Sequence, residues 1–76
     1  KMTRPEHLQW CKDRAMEYVN NGDLQQAVTS MLSDMGKHNE TAESVSGPMA
    51  MFAMAGIQDA ARGDKRAVIN FIQGFN

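Results

Sequence analysis

Pro48-Met49-Ala50-Met51-Phe52-Ala53-Met54-Ala55-Gly56-Ile57 is the stretch on which the reading of this chain turns. It holds no charged and no polar side chain. At about 100° per residue its apolar side chains point all round a helix: Met49 one way, Met51 nearly opposite, Phe52 and Met54 between them. A helix apolar on every side belongs inside something. The stretch is too short to span a bilayer, which takes about 20 residues. It therefore reads as a buried hub. The expected fold class is all-α: a compact array of four short helices with a central Met-rich third helix.

The 76 residues make a single small helical domain, 1–76. A core of this size is worth only about 3–5 kcal/mol. Cys11 is the only cysteine, so no disulfide can form within the chain, and a lone thiol points to a reducing compartment. Two supports remain: very good helix packing, or self-association into a homo-oligomer, which the apolar hub favours. Net charge is −1 with acids and bases interspersed, which argues against binding nucleic acid through overall charge. No signal peptide and no transmembrane run are legible, so no membrane partner is expected. Lys1 ahead of Met2 reads as an addition to a natural start at Met2. The seven methionines read first as core filler and second as an adaptable binding surface.

Around the hub, local signals place three more helices. Thr3-Arg4-Pro5-Glu6 is a capping box with Pro in the first turn. The helix it opens runs to about Asn20, and Asn21-Gly22 supplies a left-handed stop. Leu8, Cys11, Ala15, Tyr18 and Val19 form its buried stripe; Trp10 points to the opposite side with Asp13, Arg14 and Glu17. Asp23 and Gln26 are spaced as a second cap. Leu24, Ala27, Val28, Met31, Leu32 and Met35 follow at helical spacing, with Gln26, Thr29, Ser30 and Ser33 outside. Gly36 or Asn39 ends this helix, which lies antiparallel to the first. Residues 38–47 are polar and irregular, with a short turn near 41–44. Ser46 caps the hub helix, which continues through Gln58 towards Ala61 and closes at Gly63, with an early end at Gly56 as the alternative. Asp64 caps the last helix, with Val68, Phe71, Ile72 and Phe75 at i, i+3, i+4, i+7. Gly74 provides its stop, and Phe75 folds back as in a Schellman motif. No internal repeat and no low-complexity tail is present.

Several of these residues carry a resemblance. Trp10-Cys11-Lys12, Ala15, Glu17-Tyr18-Val19, Gly22-Asp23-Leu24, Ser30-Met31, Ser33-Asp34, Gly36-Lys37-His38, Glu40-Thr41-Ala42 and the ending Phe71-Ile72-Gln73-Gly74-Phe75-Asn76 resemble a group of small proteins encoded in tailed-bacteriophage genomes. The likeness covers most of the chain; residues 56–67 depart from the pattern. It implies a phage origin and the cytoplasm of the bacterial host. It carries over no functional residue, because the group has no defined catalytic motif.

Candidate chemistry is sparse. Cys11 and His7 lie one helical turn apart, the spacing of a thiol–imidazole nucleophile pair. Cys11 falls in the buried stripe, however, where free Cys behaves as a small hydrophobe, and no third orienting group is in view. His7, Cys11 and His38 are the only soft metal-ligand candidates, without CxxC, HExxH or HxxxH spacing, so no metal is expected. His38 suits the C-terminal end of the second helix as a cation. No GxGxxG or GxxxxGK[ST] loop is present, and no cofactor is expected. Asn39-Glu40-Thr41 fits a glycosylation pattern without any sign of secretion. Arg62-Gly63-Asp64 reads as last-turn cation, C-cap and next N-cap.

Two surfaces stand out. Trp10 sits on a charged helix face with Asp13, Arg14 and Glu17, and Trp is enriched among interface anchors. Arg14, one turn on, can lie over the indole; cover from residues 38–47 or from Phe75 is the alternative. Arg62, Lys65 and Arg66 form the densest basic cluster, at a helix junction where a phosphate backbone can dock, in a helix-turn-helix arrangement. Asp59 and Asp64 lie within that cluster and favour a solvated, dipole-matched surface. The expectation is a non-catalytic protein–protein interaction module that binds and modulates a host or phage protein, with Trp10, Asp13, Arg14 and Glu17 as partner-binding residues. The alternatives are a nucleic-acid-binding accessory protein using Arg62, Lys65 and Arg66, or a virion or assembly component.

Overall fold

The computed structural model describes residues 1–37 and 49–76. They form four helices in the expected order: α1 (Arg4–Asn20), α2 (Leu24–Gly36), α3 (Met49–Ala61) and α4 (Lys65–Gln73). No strand occurs among the described residues. The cap expected at Ser46, the turn near 41–44 and the placement of His38 lie outside them.

The local signals act as their chemistry dictates. Thr3 Oγ1 accepts from the Glu6 N–H at 3.3 Å, and Glu6 Oε1 accepts from the Thr3 N–H at 2.9 Å, completing the capping box of α1. One turn design then serves twice. Gly22 and Gly63 take φ of 80° and 73°, where only glycine is unstrained. The N–H of the following aspartate reaches back to the carbonyl of Tyr18 (2.9 Å) or Asp59 (3.1 Å). The glycine N–H reaches Val19 or Ala60. Each is a Schellman closure. The carboxylates of Asp23 and Asp64 then cap the next helix, accepting from the Gln26 and Ala67 N–H groups at 3.1 Å each. One Gly-Asp pair thus ends a helix and starts its successor, and the chain is two helical hairpins in series. The end of α4 differs from expectation. Gly74 stays right-handed, φ −76° and ψ −14°, with its N–H on the Asn70 carbonyl at 3.0 Å, so no Schellman motif forms. Phe75 still folds back, its ring 5.2 Å from that of Phe71.

The core joins three helices closely: Cys11, Ala15 and Val19 of α1, Ala27, Val28, Met31 and Met35 of α2, Val68, Phe71 and Ile72 of α4, closed by Leu8, Ala60 and Phe75. Tyr18, Leu24 and Leu32, expected in the buried stripes, are half-buried at its rim. α2 and α4 are the central pair: each packs on all three other helices, whereas α1 and α3 flank them without packing on each other.

The expected central position of the Met-rich helix is therefore corrected. Among the described side chains of α3, those buried are the small positions Ala53, Gly56 and Ala60. Met51, Phe52, Met54 and Ile57 remain 81%, 41%, 58% and 52% exposed. The physical reason is close approach. A Cβ built on Gly56 would stand 2.6 Å from Cε1 and Cζ of Phe71, so the small stripe lets α3 lie almost on the ring of its neighbour. Phe52 reaches over the edge to Phe71 and Phe75, with centroids at 5.2 and 5.5 Å.

Candidate functional site

The outward face of α3 is the least expected surface of the molecule. Apart from Trp10 of α1, the other helices follow the usual rule that large apolar side chains go in; here the small ones go in and the large ones stay out. From Met49 through Gln58 the helix has no charge. Its first charged group, Asp59, is taken by Arg62. A groove runs along each side of the exposed ridge. One, of about 300 Å³, is lined by Gln25, Val28, Thr29, Ile57, Ala60 and Ala61. The other, of about 310 Å³, is lined by Phe52, Ala55, Asp59, Ala67, Asn70 and Phe71.

The second surface is built on α1. Trp10 is 37% exposed. Its indole stacks on the His7 ring at 5.6 Å and 24°, and the Arg14 guanidinium lies over it at 4.9 Å. Phe75 does not provide the cover, since it packs on Phe52 and Phe71; the cover considered from residues 38–47 lies outside the described residues. Arg14 and Glu17 share a shallow groove of about 240 Å³ with Tyr18 and Asn21. Asp13 turns instead to its own helix, accepting from Gln9 Nε2 at 2.9 Å. The fold thus brings Trp10, Arg14 and Glu17 along one surface and leaves Asp13 beside it.

What holds this surface still is a buried carboxylate. Asp34 of α2 is almost fully buried. Its Oδ2 accepts from Arg14 Nε at 2.7 Å and from Ser30 Oγ at 3.3 Å, and its Oδ1 from Lys37 Nζ at 3.4 Å. The Asp34 hydrogen bond, and then its charge, raise the Arg14 guanidinium further above its ordinary pKa. The backbone of the same residue is also used: His7 Nε2 lies 2.9 Å from the Asp34 carbonyl oxygen. A carbonyl only accepts, so Nε2 carries the proton. Asp34 is the site residue that sequence reasoning misses, and His7, weighed there only as a partner of Cys11 or a metal ligand, has a role at this surface that it does not foresee. The signal is present, since His7 precedes Cys11 and Ala15 at i, i+4, i+8, and Asp34 follows Ala27 and Met31 at i, i+4, i+7. Both polar residues sit on apolar stripes.

This geometry also decides the thiol–imidazole pair. Cys11 Sγ meets His7 Nε2 at 3.5 Å, but that nitrogen already holds a proton and cannot take one from the thiol. Burial, with the Asp34 charge adding to it, pushes the Cys11 thiol up to about 11. A thiol so raised is a poor nucleophile near neutral pH. Among the described residues no group of three or more His, Cys, Asp or Glu is placed to hold a metal ion.

The basic cluster is partly spent. Arg62 pairs with Asp59. Lys65 and Arg66 are exposed and stand in the first turn of α4, against its dipole rather than matched to it. Lys12 donates to the carbonyls of Phe75 (2.6 Å) and Gln73 (3.2 Å), closing the C-terminal end of α4 from a different helix. Among the described residues no helix is long and apolar enough to cross a membrane.

Compared with protein-family models, with curated proteins and with solved structures, the chain finds no match.

Proposed function

We propose that this chain is a non-catalytic protein-interaction module, of tailed-phage origin, which works in the bacterial host by occupying a surface of a host or phage protein. The observation that carries the reading is the outward face of α3. Met51, Phe52, Met54 and Ile57 together leave more than two large side chains' worth of surface in water. At about 1.5–3 kcal/mol for each fully buried side chain, the unrealised burial is about 3–7 kcal/mol. That equals or exceeds the stability a domain of this size ordinarily has, about 3–5 kcal/mol. Such a face belongs to an interface, and flexible thioether side chains suit one that adapts to its partner.

Two observations weigh against the other readings. The His7 nitrogen that meets Cys11 already carries a proton, which weighs against a thiol–imidazole nucleophile. The nucleic-acid reading through Arg62, Lys65 and Arg66 loses Arg62 to Asp59 and keeps only two exposed cations beside the capping Asp64. A virion or assembly component is the same kind of module with a particle as its partner.

The Trp10 surface is the second contact in this proposal. Its indole is fixed by His7 and Arg14 before any partner arrives, and a pre-ordered aromatic loses little entropy on binding. The test is quantitative co-purification from the infected host. Wild type should retain a stoichiometric partner that a folded Met51→Glu/Met54→Glu variant loses. A partner lost by Trp10→Ala alone would move the contact to α1. A chain that retains no protein of any kind, its own second copy included, refutes the module.

A further inference from the structure

We infer that the outward face of α3 is covered by α3 of a second copy of this chain, in a two-fold symmetric dimer. The inference rests on the interaction reading above and assigns its α3 face to a copy of this chain, so that the Trp10 surface is the one left for a host or phage protein. Three features of the face point to a copy of itself.

The first is charge. A two-fold axis sets a surface against itself, so any charge near the axis meets its own sign. The α3 face is neutral from Met49 through Gln58, and the one acid beyond it, Asp59, is paired with Arg62 within the chain. Nothing on it repels a copy. A surface shaped for a charged or polar partner would carry the complement of that partner, and this one carries none.

The second is shape. The ridge of Met51, Met54 and Ile57 is spaced at i, i+3, i+6, with a groove of about 300 Å³ on one side and about 310 Å³ on the other. Two such faces laid antiparallel with a small offset put each ridge into a groove of the other. The methionines are the flexible knobs that this needs, and Ala55 and Ala61 keep the backbones close.

The third is area. The exposed parts of the four large side chains come to on the order of 400 Å², within the range of the largest patch on a typical monomer. That is about half of the roughly 800 Å² per partner of a stable interface, so the residues around the ridge must supply the other half. Residues 38–48 are poor in apolar side chains, with Ala42, Val45 and Pro48 among mostly polar neighbours. A lipid surface is also disfavoured, because interfacial helices flank their apolar face with lysine and arginine, and α3 has neither. The dimer leaves α1 untouched, since α1 does not pack on α3, and so leaves Trp10 for a different protein.

Sedimentation equilibrium of the purified chain tests this, run from about 1 µM to 1 mM. Wild type should pass from one chain of 8.4 kDa to twice that mass as concentration rises. Met54→Glu places a carboxylate at the centre of the ridge in both copies. It should weaken association by about 100-fold or more while leaving the helical circular dichroism of the monomer unchanged, because Met54 is exposed within one chain. Met54→Cys should form an intermolecular disulfide under mild oxidation, with Cys11 buried and silent, and a Gln9→Cys control should not. A wild type that stays at single-chain mass throughout overturns the dimer and leaves the co-purification test to judge the broader reading. Association that is equally strong in Met54→Glu and Met51→Glu, or a mass above two chains, overturns it as well.

Discussion

Replacing Gly56 by alanine adds one methyl group to α3 at the point where it crosses α4. The new Cβ would lie 2.6 Å from Cε1 and Cζ of Phe71 and 2.7 Å from Cδ1. Carbon atoms rest at about 3.5–4.0 Å, so the ring or the helix must retreat by about 1 Å. The ring has little freedom: it is buried, with Phe52 and Phe75 against it at 5.2 Å each. Overpacking of this kind costs about 1–3 kcal/mol. Alanine's helix propensity returns about 0.8–1.0 kcal/mol, so the net loss is about 0–2 kcal/mol. Gly36→Ala is the reference, because its Cβ meets nothing within 4 Å and only the propensity gain applies. The difference between the two variants isolates the crossing: Gly56→Ala should fall below Gly36→Ala by about 1–3 kcal/mol, at about 4–8 °C in Tm per kcal/mol for a domain of this size. The assay is thermal and urea unfolding followed by circular dichroism, at a concentration where the wild type is one chain. In a double-mutant cycle, Phe71→Leu should absorb most of the Gly56→Ala penalty. Equal stabilisation by both glycine replacements would refute the close crossing, and with it the reason that the large side chains of α3 face outward.

Further outcomes follow from the α1–α2 network and its caps. Asp34→Asn keeps the shape but removes the charge that Arg14 and Lys37 share; it should lower stability by about 1–3 kcal/mol, and an unchanged urea midpoint would show that the buried carboxylate does no structural work. Trp10→Ala loses one stacked ring and one cation–π contact and should cost no more than about 1–2 kcal/mol, with the fold kept; outright unfolding would end its use as an anchor. Backbone and side-chain hydrogen bonds from Thr3 hold the Glu6 carboxyl below its ordinary pKa, so its stabilisation is present above that ordinary value and is lost as pH falls through the lowered one. Glu6→Gln should therefore be less stable than wild type near pH 7, with the gap closing on acidification; a constant gap contradicts the capping box. Because the Cys11 thiol is raised to about 11, the folded chain should lose stability as pH climbs from about 9 through 11, and Cys11 should label with a thiol reagent at pH 8 only as fast as the chain opens. Instant labelling of the native chain would place Cys11 at the surface.

Most of the fold was legible locally. The Thr3–Glu6 box, the two Gly-Asp turns and the stripes of α2 and α4 are read within one or two helical turns, where each cue meets its own partner. The candidate site was legible only in part. Trp10 with Arg14 over it follows from i, i+4 spacing along one helix. His7 and Asp34 do not, because a histidine or an aspartate on an apolar stripe acquires its partner only when the second helix docks. Gly74 shows the same limit at smaller scale: glycine permits a left-handed stop, and at that position the chain remained right-handed while Phe75 found its place on Phe52 and Phe71.

By itself, the sequence determined that there are four helices, where three of them are capped, and that one of them is apolar all round. The tertiary structure decided which way that one faces. A helix uniform in hydropathy has no preferred inward side, since every rotation about its axis offers similar apolar area. Steric fit then sets the rotation, and the narrow stripe of Ala53, Gly56 and Ala60 is the side that can lie against the ring of Phe71. The large side chains of α3 are left outside as the consequence, and the surface on which the proposed function rests is a product of packing geometry rather than of hydrophobic pattern.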